Sequence, residues 1–287
     1  MPEIQPAGHN PLQKYFRQPK IYLTLPSGGK FYPQGALEAT ENNEYPVFPM
    51  TARDELTMKT PDALLNGQAT VDMIQSCVPN IKDAWKIPSV DLDAILIAIR
   101  IATYGEKMDV DIKTPVTGEE KSYNIDLRIM LDTLVNNEFE NTFNMDGMII
   151  HIRPLTYREF TDTSLKTFEE QRIFALVNND SIPEEEKLQR FNESFKKLTD
   201  ITVGTLERSI WKIQAGEDIV DNPAWISEFV ANAEKGLFKA LTDHLETQRE
   251  KFRIKPLVVD ATPEEIEQGV PDTYEVPITF DQSNFFG

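Results

Sequence analysis

The stretch SVDLDAILIAIRIATYGEKMDVDIKTPVTGEEKSYNID, residues 89–126, decides the fold, because its hydrophobic period changes halfway along. In the first half Leu92, Ile95, Leu96, Ile99 and Ala102 recur at helical spacing. That is one apolar face of a helix, opened by Ser89 and closed by Gly105. In the second half, residues 107–126 alternate on both sides of Pro115-Val116-Thr117-Gly118, as two antiparallel strands and a turn do. A strong helix running into a local hairpin is an α+β pattern.

Upstream, residues 69–77 read as a short helix ended near Pro79, and Thr60-Pro61-Asp62 as another helix start. Thr51 is a candidate N-cap, with Asp54 and Glu55 near the positive end of the helix dipole. Residues 36–48 look irregular. Before them, IYLTLPSGGKFY at 21–32 alternates at Ile21, Leu23 and Leu25 and carries turn chemistry at Ser27-Gly28-Gly29, so a short hairpin is expected. Pro2, Pro6, Pro11 and Pro19 point to an extended arm.

Downstream, residues 127–134 read as helix and 142–152 as a second hairpin, turning at Asp146-Gly147. From Pro154 to residue 254 the pattern is helical. Thr156 to Glu159 has capping-box spacing. Leu165, Phe168, Leu176 and Val177 would supply one core face, and Leu188, Phe191, Phe195 and Leu198 the next. Leu206, Ile210, Trp211 and Ile213 continue the helical pattern to Gly216. Asn222-Pro223 starts another helix, and Leu237, Phe238, Leu241 and Leu245 form a last stripe. Thr262-Pro263-Glu264-Glu265 caps a short helix. After Pro271 the chain reads as an extended arm ending in Phe285 and Phe286, aromatics expected to anchor in a pocket.

The expected fold class is therefore α+β, mostly helical. An N-terminal arm and hairpin (1–50) lead into a helical block with β-hairpins (51–153). A larger helical domain (154–254) and an extended C-terminal tail (255–287) follow.

The chain has 287 residues, 40% of them hydrophobic, and a formal charge of −18. The length suits about two domains and the apolar share suits a real core. The acidity argues against nucleic acid, whose phosphates need clustered Lys and Arg, and against an anionic membrane surface. No apolar run approaches a bilayer span, and the first residues lack a signal-peptide core. One cysteine, Cys77, allows no internal disulfide and fits a reducing compartment.

Catalytic and metal constellations are not expected. His9, His151 and His244 lie in an arm, a strand and a helix, without metal-ligand spacing. Cys77 reads as a small buried thiol. Gly28-Gly29-Lys30 lacks the rest of a phosphate loop. Asp109 and Asp111 share a strand face as solvated polarity, and Asp91 and Asp93 suit the first turn of a helix. Thr114-Pro115-Val116-Thr117-Gly118 has the outline of a CPxCG zinc knuckle with threonines for cysteines. It is read either as a knuckle-shaped hairpin that folds without metal or as an ordinary hairpin shaped by Gly118. No cofactor is expected.

Thr51-Ala52-Arg53-Asp54-Glu55, Thr60-Pro61-Asp62-Ala63-Leu64, Gly67, Cys77-Val78-Pro79, Trp85, Asp91-Leu92-Asp93, Arg100, Tyr104-Gly105-Glu106 and the ending TYEVPITFDQSNFFG together resemble the baseplate-hub assembly proteins of T-even-type tailed bacteriophages. The resemblance covers roughly residues 15–135 and the last 15, and with both segments in one family pattern it implies that the tail packs back on the N-terminal half. It implies a non-enzymatic late viral protein that helps build the baseplate hub by protein–protein binding, with hub or tape-measure proteins as partners and oligomerisation open. It places the chain in the host cytoplasm during assembly, with retention in the virion baseplate open. The alternative is a tail assembly chaperone that shields the tape-measure protein and is absent from the virion. A metal-dependent or hydrolytic enzyme is the remote alternative. On this reading the candidate partner-binding residues are Arg53, Asp54, Glu55, Trp85, Phe280, Phe285 and Phe286.

Overall fold

The computed structural model describes residues 11–59, 67–177, 183–278 and 285. It is an α+β, mostly helical protein, as the change of period at Gly105 implies. The helix Ser89–Tyr104 runs through the middle of the larger apolar core, with Ala94, Ile95, Ile97, Ala98 and Ile99 fully buried. It is apolar on more than one face because other elements pack on several sides of it. These include the helix Gln68–Cys77, the helix Leu127–Val135 and strand β1 (Ile21–Thr24). The strands β3 (Lys107–Lys113) and β4 (Glu120–Asp126) follow as an antiparallel pair with Val110 opposite Tyr123.

Three sequence expectations need correction. β1 does not form a hairpin within residues 21–32. It pairs antiparallel with β2 (Glu44–Val47), Leu23 opposite Tyr45, out of a stretch expected to be irregular. Ser27-Gly28-Gly29 is a turn, but the chain turns toward the central helix, not back along β1. Secondly, residues 11–15 of the N-terminal arm form a 3-10 turn, Pro11–Tyr15. The third correction concerns the long helical region. The helix Glu184–Ser209 stops at Ser209, and Ile210, Trp211 and Ile213 belong to strand β7 (Ile210–Ala215). β7 joins the hairpin of β5 (Thr142–Met145) and β6 (Met148–Ile152), and β8 (Asp218–Val220) completes a four-stranded sheet in the order β5-β6-β7-β8. β-Branched Ile210 and Ile213 suit either pattern locally, and pairing of Ile150 with Ile213 settles the strand.

A second apolar core lies beneath this sheet. Ile150, Ile152, Ile210 and Ile213 pack with Ile226 and Val230 of the helix Pro223–Ala231 and with Leu237, Leu241 and Leu245 of the helix Lys235–Lys251. The hairpin turn has Asp146 and Gly147 both at positive φ, 52° and 77°, as a two-residue type I′ turn requires. The helices Tyr157–Val177 and Glu184–Ser209 pair along their lengths as a helical hairpin.

The tail returns to the first core. β9 (Leu257–Asp260) and β10 (Thr273–Val276) pair antiparallel across the short helix Pro263–Glu267, whose N-cap Thr262 forms a capping box with Glu265. Val270, Tyr274, Val276 and Phe285 are buried in the first core. The Tyr123 and Tyr274 hydroxyls lie 2.6 Å apart, and Lys121 pairs with Glu265 at 2.9 Å. These contacts tie the tail to the β3–β4 hairpin. The expected helix start at Thr60-Pro61-Asp62 lies outside the described residues, as do Ser181 and Ile182 before the helix at Glu184.

Candidate docking surfaces

The block around Thr51 is held together by its own charges. Thr51 caps the helix Ala52–Met58 and forms a capping box with Asp54. Arg17 reaches in from the arm, donating to the Pro49 carbonyl at 2.6 Å and to the Ser76 carbonyl and hydroxyl at 2.7 and 2.8 Å. The same guanidinium lies 3.4 Å from the Asp54 carboxylate, which is buried and also accepts from the Ser76 hydroxyl at 3.1 Å. Asp54 is therefore occupied inside the fold. Glu55 accepts from the Tyr104 hydroxyl at 3.1 Å, and the Arg100 guanidinium stacks 4.5 Å from the Tyr104 ring. Arg53 alone of this trio is exposed.

Trp85 is half-buried between two neighbours. Its ring stacks on Tyr157 at 5.4 Å, and the Arg158 guanidinium covers it at 3.7 Å. Gly67, at φ +77°, makes room for this pair: a Cβ there would sit 3.1 Å from both the Trp85 ring and the Tyr157 hydroxyl. Trp85 thus clamps the start of the helical hairpin to the first core. Phe285 is fully buried, while Phe280 and Phe286 lie outside the described residues.

The buried ionisable groups are likewise committed to the fold. The Asp91 carboxylate ties the Ser27 turn and the Tyr32 hydroxyl to the central helix, and burial pushes its pKa up to about 6. Burial pushes Asp93 up to about 6 as well, beside the Ile254 N–H and Arg253. Burial, followed by the Asp54 charge, pushes the Cys77 thiol up to about 12, so it is held as the unreactive thiol. His151 sits edge-on to Trp211 and His244 tilts against Phe143. At residues 114–118 Val116 and Gly118 take positive φ, and the Gly118 N–H donates to the Thr114 carbonyl. Among the described residues no three acidic, His or Cys side chains converge as a metal site, and no helix is long and apolar enough to cross a membrane.

Apolar side chains at the surface lie elsewhere. Phe168 on one helix of the hairpin is 58% exposed and Phe195 on the other 61%, with Leu188 alongside on the same helix. Leu188, Phe191 and Phe195 share one helix face at i, i+3 and i+7. Sequence reading placed these residues in the core, and that expectation is corrected. The seam of the hairpin instead holds Ser194 and Glu170, both buried, with Lys197 donating to Glu170 at 3.0 Å. A helical period gives the width of an apolar face but not what covers it, so only the structure could separate core from surface here.

Taken together, these features define a class: a two-core α+β protein whose buried charges hold its own elements in place and whose large apolar side chains are in part presented to solvent. Residues 18–255 match the family described as T4 bacteriophage base plate protein, and the chain belongs to that family. It is a protein of the phage baseplate, where it works in contact with other baseplate proteins. No curated protein and no solved structure matches it.

Proposed function

We propose that this chain is a non-enzymatic assembly protein of the baseplate hub that acts by binding other tail proteins. The observation that carries the reading is the exposed apolar face of the helical hairpin, with Phe168, Leu188 and Phe195 in water. Single exposed apolar residues are ordinary, but three large ones on the two helices of one hairpin offer apolar surface that a partner helix or sheet can cover. The internal use of Asp91, Asp54 and Cys77 supports a binding role over catalysis, since each is buried and engaged within the fold, while Asp93 lines a cavity whose other charged groups are Arg249 and Arg253.

A second reading is a chaperone that shields the tape-measure protein and leaves before the particle is finished. The same helical face favours it, because an apolar helix is a natural ligand for an apolar helical groove or face. Two measurements separate the readings. Affinity purification of tail intermediates with this chain as bait is expected to recover an identified hub protein, and recovery of no baseplate or tail protein overturns the proposal. Mass spectrometry of finished particles then decides retention: stoichiometric copies in the virion contradict the chaperone reading.

A further inference from the structure

Charge is divided unevenly along the chain. Residues 1–37 hold four bases, Lys14, Arg17, Lys20 and Lys30, against one acid, Glu3, so this segment carries +3 while the rest carries −21. The positive segment is also aromatic. Tyr15 is 73% exposed, and Phe16 and Tyr22 are exposed beside it. The structure holds these rings outward. Arg17 is clipped to Pro49, Ser76 and Asp54, and the Lys20 N–H donates to the Val47 carbonyl, so the arm is pinned at two points between and beside its aromatics. Leu23, by contrast, is buried in the first core. A pinned arm with three rings in water has its entropic cost of ordering already met, which favours docking.

The opposite character appears on the second core. Strand β8 is an edge of the four-stranded sheet. Residues 215–225, AGEDIVDNPAW, carry Glu217, Asp218 and Asp221 and no base. Ile219 and Trp225 of this segment are exposed, Trp225 by 61%. A cavity of about 410 Å³ opens beside it, lined by Trp211, Ile210, Pro223, Ile226 and Asp221. Glu207, Arg153 and Arg208 also line this cavity, and the Lys212 ammonium lies 4.9 Å from the Trp211 ring centre. Arg153 is paired to Glu159 at 2.8 Å and Arg208 donates to the Thr163 hydroxyl at 3.1 Å, so the acidic character belongs to the β8 edge itself, at Glu217, Asp218 and Asp221. An acidic, aromatic sheet edge next to a cavity is the complement of a basic, aromatic arm.

We propose that the arm of one copy, through Lys14, Tyr15, Phe16 and Lys20, docks on the β8 edge and Trp211 cavity of a second copy of this chain. The contact joins two different patches, so it is head-to-tail and builds a ring or a filament, not a simple two-fold dimer. It goes beyond the hub-binding reading and is independent of which tail protein the helical hairpin meets.

Sedimentation equilibrium of the full chain tests this. The wild type should exceed monomer mass at micromolar concentration in about 50 mM salt and fall toward it in about 500 mM salt, where surface charges are screened. Lys14→Glu/Lys20→Glu and Asp218→Lys/Asp221→Lys should each weaken association about tenfold or more. Carrying all four reversals on one chain should restore it. Tyr15→Ser/Phe16→Ser should weaken it without the salt dependence changing sign. All these positions are exposed, so an unchanged melting temperature checks that each variant is folded. A wild type that stays monomeric at low salt overturns the proposal, even if the arm is found to bind another acidic tail protein. So does association that neither charge reversal disturbs, or a quadruple variant that fails to recover.

Discussion

Ser27 gives both of its hydrogen-bond donors to Asp91: the backbone N–H at 2.7 Å and the hydroxyl at 2.6 Å. The Tyr32 hydroxyl adds a third at 3.0 Å. One fully buried carboxylate thus holds the turn after β1 onto the first turn of the central helix. Removing it leaves buried donors with no acceptor, which costs more than the hydrogen bonds themselves contribute. Asp91→Ala is expected to lower unfolding free energy by about 2–4 kcal/mol, and Asp91→Asn by less, because an amide oxygen can still accept. Urea unfolding followed by circular dichroism measures both, and equal costs for the two variants would contradict this role.

The buried acids also set a pH dependence with two signs. Burial raises Asp91 and Asp93 to about 6 in the folded chain. An unfolded Asp releases its proton near pH 3.9, so between about pH 4 and 6 the folded state holds protons that the unfolded state has lost. Their contribution is fully present below pH 4 and is lost as pH rises through 6. Glu159 behaves the other way. Burial alone would raise it, but the Arg153 hydrogen bonds and the Thr156 N–H outweigh that and hold it at about 2. Its contribution is present above the ordinary Glu range and is lost as pH falls toward 2. Melting temperature against pH should therefore flatten between pH 4 and 6 in Asp93→Asn and between pH 2 and 4 in Glu159→Gln. An unaltered profile in either variant contradicts the assignment.

Cys77 should be silent in the native state. Its thiol is buried, pushed up to about 12 and held near Arg17 at a long 4.0 Å. A thiol reagent at pH 8 should label it only after denaturant is added. Rapid labelling of the folded protein would show that the arm opens at Arg17.

The tail is expected to contribute real stability. Phe285→Ala removes a fully buried ring from the first core and should cost about 3–5 kcal/mol. Tyr274→Phe removes only the hydroxyl contact with Tyr123 and should cost about 1 kcal/mol. Thermal or urea unfolding ranks them. A Phe285→Ala cost below that of Tyr274→Phe would mean that the tail is not anchored through its last aromatic.

Much of this architecture is legible in local chemistry. The central helix and its Gly105 end, the β3–β4 and β5–β6 hairpins and the Thr51 and Thr262 caps follow from period, turn residues and capping spacing, whereas the return of the tail is implied only by the resemblance of both segments to one family. What is not legible depends on distant partners. β1 finds β2 across a long loop, and Ile210–Ala215 becomes strand because the β6 edge is there to receive it. Leu188 and Phe195 have the spacing of a core face, yet no element covers them among the described residues. In the block around Thr51 and Trp85, Asp54 and Trp85 are engaged by Arg17 and Tyr157, which lie far away in the chain. Arg17 itself carried no local signal, since its targets are carbonyls and a hydroxyl brought together only by folding.

On the proposed function, the exposed apolar side chains of the helical hairpin bind a partner in the baseplate hub. The most direct test of this compares wild type with Phe168→Ser/Phe195→Ser as bait for tail intermediates. Both side chains are exposed, so the variant should keep its unfolding free energy to within about 0.5 kcal/mol of the wild type. An identified hub protein is expected to copurify with the wild type and to be lost from the variant. Equal recovery of that protein by the two baits would contradict it.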